Sequence, residues 1–273
     1  LEGKVEKTGA LLTDGYSGTN DIYEGAASAW NKYDPYCFRP KYLVRPSLCQ
    51  GVEERVDFRG NVIKPLNTCQ AEQAIEKLLK QGVKSIAVCF LFSFMNPSHE
   101  IEAGALIKKM APDCHVSLSS EVLPQIREYF RLSTTVVNAL IGPVLTRYLN
   151  KLAKDIDLLG IKTRQLYIMQ CNGGVRTFGA SSFVSVPMVL SGPAAGLIAA
   201  NQLASAAGYK NVISLDMGGT SCDIGLIENG MPSQINRGAI DKYDLAIPML
   251  DINTISATGS GIGNDELSYF SIF

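Results

Sequence analysis

The stretch Val212-Ile-Ser-Leu-Asp-Met-Gly-Gly-Thr-Ser-Cys-Asp-Ile-Gly-Leu-Ile-Glu-Asn-Gly230 constrains this chain more than any other. Val212, Ile213 and Leu215 form an apolar run ending in Asp216, and Ile224, Leu226 and Ile227 begin a second just after Asp223. Two such runs around a glycine break predict a strand, a tight turn and a second strand. Gly218 and Gly219 predict a turn at positive φ that a polyanion can approach without Cβ atoms in the way. The N–H groups of that turn, with the Thr220 and Ser221 hydroxyls, can face a phosphate. Asp216 and Asp223 can hold hydrated Mg²⁺, a hard cation that prefers oxygen ligands. The same residues also suit a plain β-hairpin whose aspartates cap the turn in solvent.

The order Asp-x-Gly-Gly-Thr-x-x-Asp resembles the phosphate hairpin of the actin, Hsp70 and sugar-kinase superfamily. It is not a G-x-x-x-x-G-K-[ST] P-loop, and no G-x-G-x-x-G dinucleotide fingerprint is present. With 273 residues, 46% of them hydrophobic, the chain has material for one large or two ordinary domains. A net charge of -1 without single-sign blocks points to neither a nucleic-acid nor a membrane partner. Seven scattered cysteines with no C-x-x-C pair argue against a disulfide framework or a zinc site, and a reducing cytoplasm is the expected location. No apolar run of membrane-spanning length and no signal-peptide pattern is visible. The start at Leu1 and the glycine-rich stretch near the end suggest a piece of something larger.

Ahead of the hairpin, residues 7–13 read as a strand and residues 52–64 as a β-hairpin whose Arg55 and Asp57 line a solvated face. A helix from Cys69 to Gly82, an apolar strand over 85–92, a helix from Pro97 and Ser98 toward Met110, and a strand over 115–119 follow. That alternation belongs to a parallel sheet. His99 and His115, the only histidines, have no companion at ligand spacing and read as capping or surface residues. A long apolar-faced helix then runs from a Ser133 or Thr134 cap through Val136, Leu140, Val144 and Leu152, with a kink expected at Gly142-Pro143. The domain boundary falls near Leu132, giving an N-terminal α/β domain over 1–132 and a second lobe over 133–273.

Residues 165–170 read as a strand running into Cys171-Asn172-Gly173-Gly174, at the kind of strand end where α/β folds place ligands. Asn172 can bond a substrate or nucleotide edge, or it can simply make the turn; Cys171 reads as a buried, inert thiol. Ser191-Gly192-Pro-Ala-Ala-Gly196 predicts a helix capped by Ser191, with a start open to an anion or to close packing.

Together, Arg127-Glu-Tyr, Ser133-Thr-Thr-Val-Val-Asn-Ala, Met169-Gln-Cys-Asn-Gly-Gly, Leu190-Ser-Gly-Pro-Ala-Ala-Gly and Asp216-Met-Gly-Gly-Thr-Ser-Cys-Asp resemble the hydantoinase A / 5-oxoprolinase family over essentially the whole chain. The resemblance implies an α/β fold: an actin/Hsp70/sugar-kinase-like (ASKHA) nucleotide-binding lobe preceded by a smaller α/β domain. It implies ATP and Mg²⁺ as cofactors, a cyclic amide or a ketone as substrate, and a hydantoinase B type partner subunit in an oligomer. The implied chemistry is phosphorylation of a carbonyl or enolate oxygen by ATP, leading to ring opening or, in the acetone and acetophenone carboxylase branch, to carbon–carbon bond formation. On that resemblance Asp216 and Asp223 manage Mg²⁺, and Gly218, Gly219, Thr220 and Ser221 hold phosphates. Asn172, Gly173, Gly174, Ser191 and Gly192 line the same cleft. A scaffold or nucleotide-binding module without chemistry is the reading from another class. The chain departs from the family pattern in three ways. A first phosphate loop and a Thr-rich segment, with which family members usually begin, are not found upstream of Leu1. In the segment 248–261, Asn253 stands where a histidine is common, and Ser256 and Thr258 replace glycines. The sequence stops at Phe273, where family members are expected to carry further sequence.

Overall fold

The computed structural model describes residues 5–21, 42–163, 165–219, 221–240 and 243–256. Thr220, Thr258, Trp30 and the apolar terminus at Phe270, Ile272 and Phe273 lie outside them. The first half is a parallel sheet built from β1 (Thr8–Thr13), β2 (Cys49–Val52), β3 (Ser85–Cys89) and β4 (His115–Leu118), in the order β2-β1-β3-β4. All three pairings are parallel, as the helix–strand alternation predicts. The apolar run at 85–92 is strand only to Cys89; beyond it the chain turns, with Phe92 at φ 56°.

Two helices cross between these strands. In α1 (Thr68–Lys80) the side chain of Asn67 accepts from the Gln70 N–H, and Ala71, Ala74, Ile75 and Leu78 form the buried stripe. The second, α2 (Ser98–Met110), packs on Val116 and Leu118 of β4, whereas Ser117 points to the other face of the sheet. That other face is covered by α3 (Glu128–Leu158), which spans 31 residues.

The expected start of α3 at Ser133 or Thr134 is corrected: the helix begins five residues earlier, after Arg127 at φ 80°. Those two hydroxyls do other work, since Ser133 Oγ donates to the Asp244 carbonyl at 2.6 Å and Thr134 Oγ1 accepts from the Ala246 N–H at 3.1 Å. Leu132, proposed as the domain boundary, therefore lies inside a helix. Leu132, Val136, Ala139 and Leu140 join the core of the parallel sheet, and Phe130 and Val137 join a second core with Cys171, Val186, Leu245 and Met249. The helix runs unbroken through Pro143. Pro143 has no N–H for the Ala139 carbonyl one turn back, and the buried Ser85 hydroxyl donates to that carbonyl instead, at 2.6 Å.

Both histidines depart from the surface reading. His99 is buried in the first turn of α2 with Nδ1 2.8 Å from Glu54 Oε2, and Glu54 also accepts from the Thr13 hydroxyl. The His115 ring is packed against Gly142, where a Cβ would collide with it, and burial, helped by the nearby Lys108 charge, pulls its pKa down to about 4. Sequence alone cannot see either, because each partner lies 27 or more residues away.

The second half holds an antiparallel hairpin of β5 (Tyr167–Met169) and β6 (Val175–Thr177), then α4 (Ser191–Ala206). A separate antiparallel sheet follows, in which β8 (Ser221–Glu228) lies between β7 (Val212–Met217) and β9 (Ile252–Ser256). Among the described residues no helix is long and apolar enough to cross a membrane, and Cys69, Cys89, Cys114, Cys171 and Cys222 are free thiols.

Candidate functional site

The strand–turn–strand reading of residues 212–230 holds, and its register decides the site. β7 and β8 are antiparallel with Asp216 directly opposite Asp223, and β8 and β9 are antiparallel with Asp223 directly opposite Thr254. Residues opposite one another in a sheet share a face, with Cβ atoms about 5 Å apart. Asp216, Asp223 and Thr254 thus form one row, and Thr254 Oγ1 donates to Asp223 Oδ1 at 2.6 Å. Neither aspartate has an ion pair among the described residues. Two facing carboxylates without a basic side chain repel each other, and a cation between them relieves the repulsion.

The face carrying this row is the one that α4 covers. Leu197 fills the space over Gly225, and Gly196 lies over Asp216, where an added Cβ would stand 3.1 Å from Oδ2. Gly196 leaves room for that carboxylate. The opposite face shows Ile213, Leu215 and Met217, all more than 60% exposed. Strand alternation puts Asn253, the register partner of Ile224, on this opposite face. The asparagine that replaces a family-typical histidine therefore removes no ligand from beside Asp216 and Asp223.

Two details of the turn differ from expectation. Neither Gly218 nor Gly219 adopts a positive φ, so these glycines act through missing side chains rather than through left-handed backbone. The Gly218 N–H is spent on the Ser221 carbonyl at 2.9 Å, which leaves Gly219, exposed and with nothing within 4 Å of a Cβ position, as the glycine free to meet a phosphate.

The other candidates surround α4. Ser191 does not cap it. The position before the helix is Leu190 in the left-handed region at φ 57°, and its side chain makes no capping hydrogen bond. Among the described residues no hydrogen bond from the Ser191 or Gly192 N–H is seen, and both groups lie about one helical turn before Gly196. Asn172, Gly173 and Gly174 form the bend of the β5–β6 hairpin, not the end of a parallel strand. Asn172 Oδ1 accepts from the Gly174 N–H at 2.9 Å, and Gly173, at φ 83°, abuts Ile198 and Leu250. Residues 196, 197 and 198 point about 100° apart around the helix, so this bend meets α4 roughly 200° around from Asp216. The structure brings together Asp216, Asp223, Gly218, Gly219 and Ser221 and sets the Asn172 bend apart from them. Cys171 is buried beside the Pro248 carbonyl, and burial pushes its thiol up to about 11, the inert thiol anticipated.

Among the described residues no three His, Cys, Asp or Glu side chains converge on a metal position. Two carboxylates with open space beside them fit Mg²⁺, which keeps most of its waters and takes phosphate oxygens as further ligands. The residue pattern matches the hydantoinase/oxoprolinase model over 131–272 and the N-terminal region of hydantoinase/oxoprolinase over 1–111. The chain belongs to the hydantoinase/oxoprolinase family. It is 34% identical to the caprolactamase subunit alpha of Pseudomonas jessenii, over 97% of this chain and 38% of that protein. Against the acetophenone carboxylase gamma subunit of Aromatoleum aromaticum the identity is 28%, over 98% of this chain and 38% of that subunit. The crystal structure of the P. jessenii ATP-dependent caprolactamase superposes with a TM-score of 0.79 at 32% identity, over 92% of this chain and 36% of that one. A nucleotide-free acetone carboxylase gives 0.85 at 24% identity over 93% and 37%, a likeness of fold. The mixed α/β architecture is thus of the ASKHA-like hydantoinase kind, and the chain spans little more than a third of these relatives.

Proposed function

We propose that this chain carries part of the nucleotide site of an ATP-dependent enzyme that opens a cyclic amide by phosphorylating its carbonyl oxygen. The observation that carries the reading is the row Asp216–Asp223 beside a side-chain-free turn, with no ion pair to either carboxylate among the described residues. The greater identity to the caprolactamase subunit than to the carboxylase subunit supports an amide over a ketone as substrate.

An amide carbonyl is a poor electrophile because its nitrogen donates into it. When the amide oxygen attacks the γ-phosphorus of ATP, the O–P bond forms and the bond to ADP breaks. Water then adds to the activated carbon, and the ring C–N bond breaks as the nitrogen takes a proton and leaves as the amine. A second water cleaves the resulting acyl phosphate to a carboxylate and inorganic phosphate. Gly219 lets the phosphates approach, the Ser221 hydroxyl and Thr220 donate to them, and the N–H groups of Ser191 and Gly192 favour negative charge at that helix end. Asp216 and Asp223 are the residues that would hold Mg²⁺, which would supply neutralisation of phosphate charge. Positioning and electrostatics account for most of the acceleration. The free thiols fit a cytoplasmic setting, and a hydantoinase B type subunit completes the assembly.

In the assembled enzyme, ATP turnover should depend on hydantoin, 5-oxoproline or caprolactam and not on acetophenone or acetone with bicarbonate; the reverse dependence would assign the carboxylase reaction. Asp216→Ala should lower ATP turnover by about a hundredfold or more while unfolding stays cooperative. Undiminished turnover would remove Asp216 from the mechanism. An assembly that binds no Mg-ATP by calorimetry while folded would instead support a scaffold.

A further inference from the structure

Thr254 was not among the residues singled out by pattern, yet among the described residues it makes the one hydrogen bond to the carboxylate of either aspartate of the row. Asp223 sits on the central strand with a carboxylate on one side and a hydroxyl on the other. Without a tether its side chain is free to rotate away from Asp216, and like-charge repulsion drives it to do so. A hydroxyl donor on Oδ1 occupies one oxygen, fixes the carboxylate plane and leaves Oδ2 for a second interaction. An ordinary cross-strand Asp–Thr pair would do no more than strengthen strand pairing slightly.

We propose that Thr254 is a positioning residue whose hydroxyl orients the Asp223 carboxylate for the magnesium ion that accompanies the nucleotide. This rests on the Mg-ATP reading of the hairpin. The face assignment supports it independently of any pattern: of the β9 residues around this position, Thr254 alone faces the carboxylates, while Asn253 and Ile255 point away. The hydroxyl, not the asparagine amide, is what this strand contributes.

The test uses Thr254→Val, which keeps the shape and loses the donor, Thr254→Ser, which restores it, and Asp223→Asn, all in the complete protein. Calorimetry would measure ADP and a non-hydrolysable ATP analogue, each with Mg²⁺ and with EDTA. Thr254→Val should weaken binding about tenfold in Mg²⁺, the scale of one hydrogen bond to a charged group, and leave binding in EDTA unchanged. Thr254→Ser should return affinity to within about twofold of the parent. Equal weakening in Mg²⁺ and EDTA would reveal a role in strand pairing and overturn the proposal. A Mg²⁺ requirement lost in Asp223→Asn but kept in Thr254→Val would overturn the proposal and spare the reading of the site. Binding indifferent to Mg²⁺ in both the parent and Asp223→Asn would overturn both.

Discussion

At the scale of single residues, Gly219 offers the cleanest separation of folding from binding. Nothing lies within 4 Å of a Cβ placed there, and its φ is outside the left-handed region, so a side chain costs the free protein little. Gly219→Val should therefore leave the unfolding free energy measured in urea within about 0.5 kcal/mol of the parent, the scale of a surface substitution, yet reduce Mg-nucleotide affinity at least tenfold in calorimetry. A large loss of stability would mean the turn is packed in a way the described residues do not show. The aspartates were legible in the sequence because a strand–glycine–strand pattern fixes their spacing through local geometry. Thr254 was not, because its place beside Asp223 depends on a pairing across 31 residues. The positive φ expected at Gly218 and Gly219 failed for a related reason: glycine permits that conformation without requiring it.

Among the elements, α3 shows how a helix keeps a proline. Pro143 frees the Ala139 carbonyl inside the core, and Ser85 of β3 is the donor that replaces the missing N–H. Ser85→Ala should cost about 1–3 kcal/mol, the penalty of a buried unsatisfied carbonyl. In a Pro143→Ala background the helix regains its own N–H donor, so the same change should cost well under 1 kcal/mol. A double-mutant cycle by urea unfolding checks this, and equal costs in both backgrounds would refute it. The existence of this helix was legible from its apolar periodicity, but its start was not. Ser133 and Thr134 have the chemistry of caps, and the deciding fact is that their hydroxyls are claimed by residues 244 and 246.

For the whole molecule, α3 belongs to two cores at once, and Asn138 marks where they meet. Its Nδ2 donates to Ser117 Oγ and the Phe183 carbonyl, and its Oδ1 accepts from the Ser185 and Val186 N–H groups. His115 lies on the same face of β4, against Gly142 of the same helix, so the state of its ring is felt by the join between sheet and helix. Its pKa is lowered from 6.5 to about 4, chiefly by burial, so the folded protein keeps it neutral where the unfolded chain takes up a proton. Unfolding therefore binds a proton between these values. The associated stability is fully present above pH 6.5 and is lost as the pH falls toward 4. At about 1.4 kcal/mol per pH unit, the loss over the 2.5 pH units from 6.5 to about 4 approaches about 3.5 kcal/mol. His115→Gln removes this titration while carboxylates and the His99–Glu54 pair continue to respond. Urea midpoints measured from pH 7 to pH 4.5 should accordingly fall more steeply for the parent than for the variant. Parallel curves would show that folding leaves the His115 pKa at its unfolded value and would overturn the burial argument.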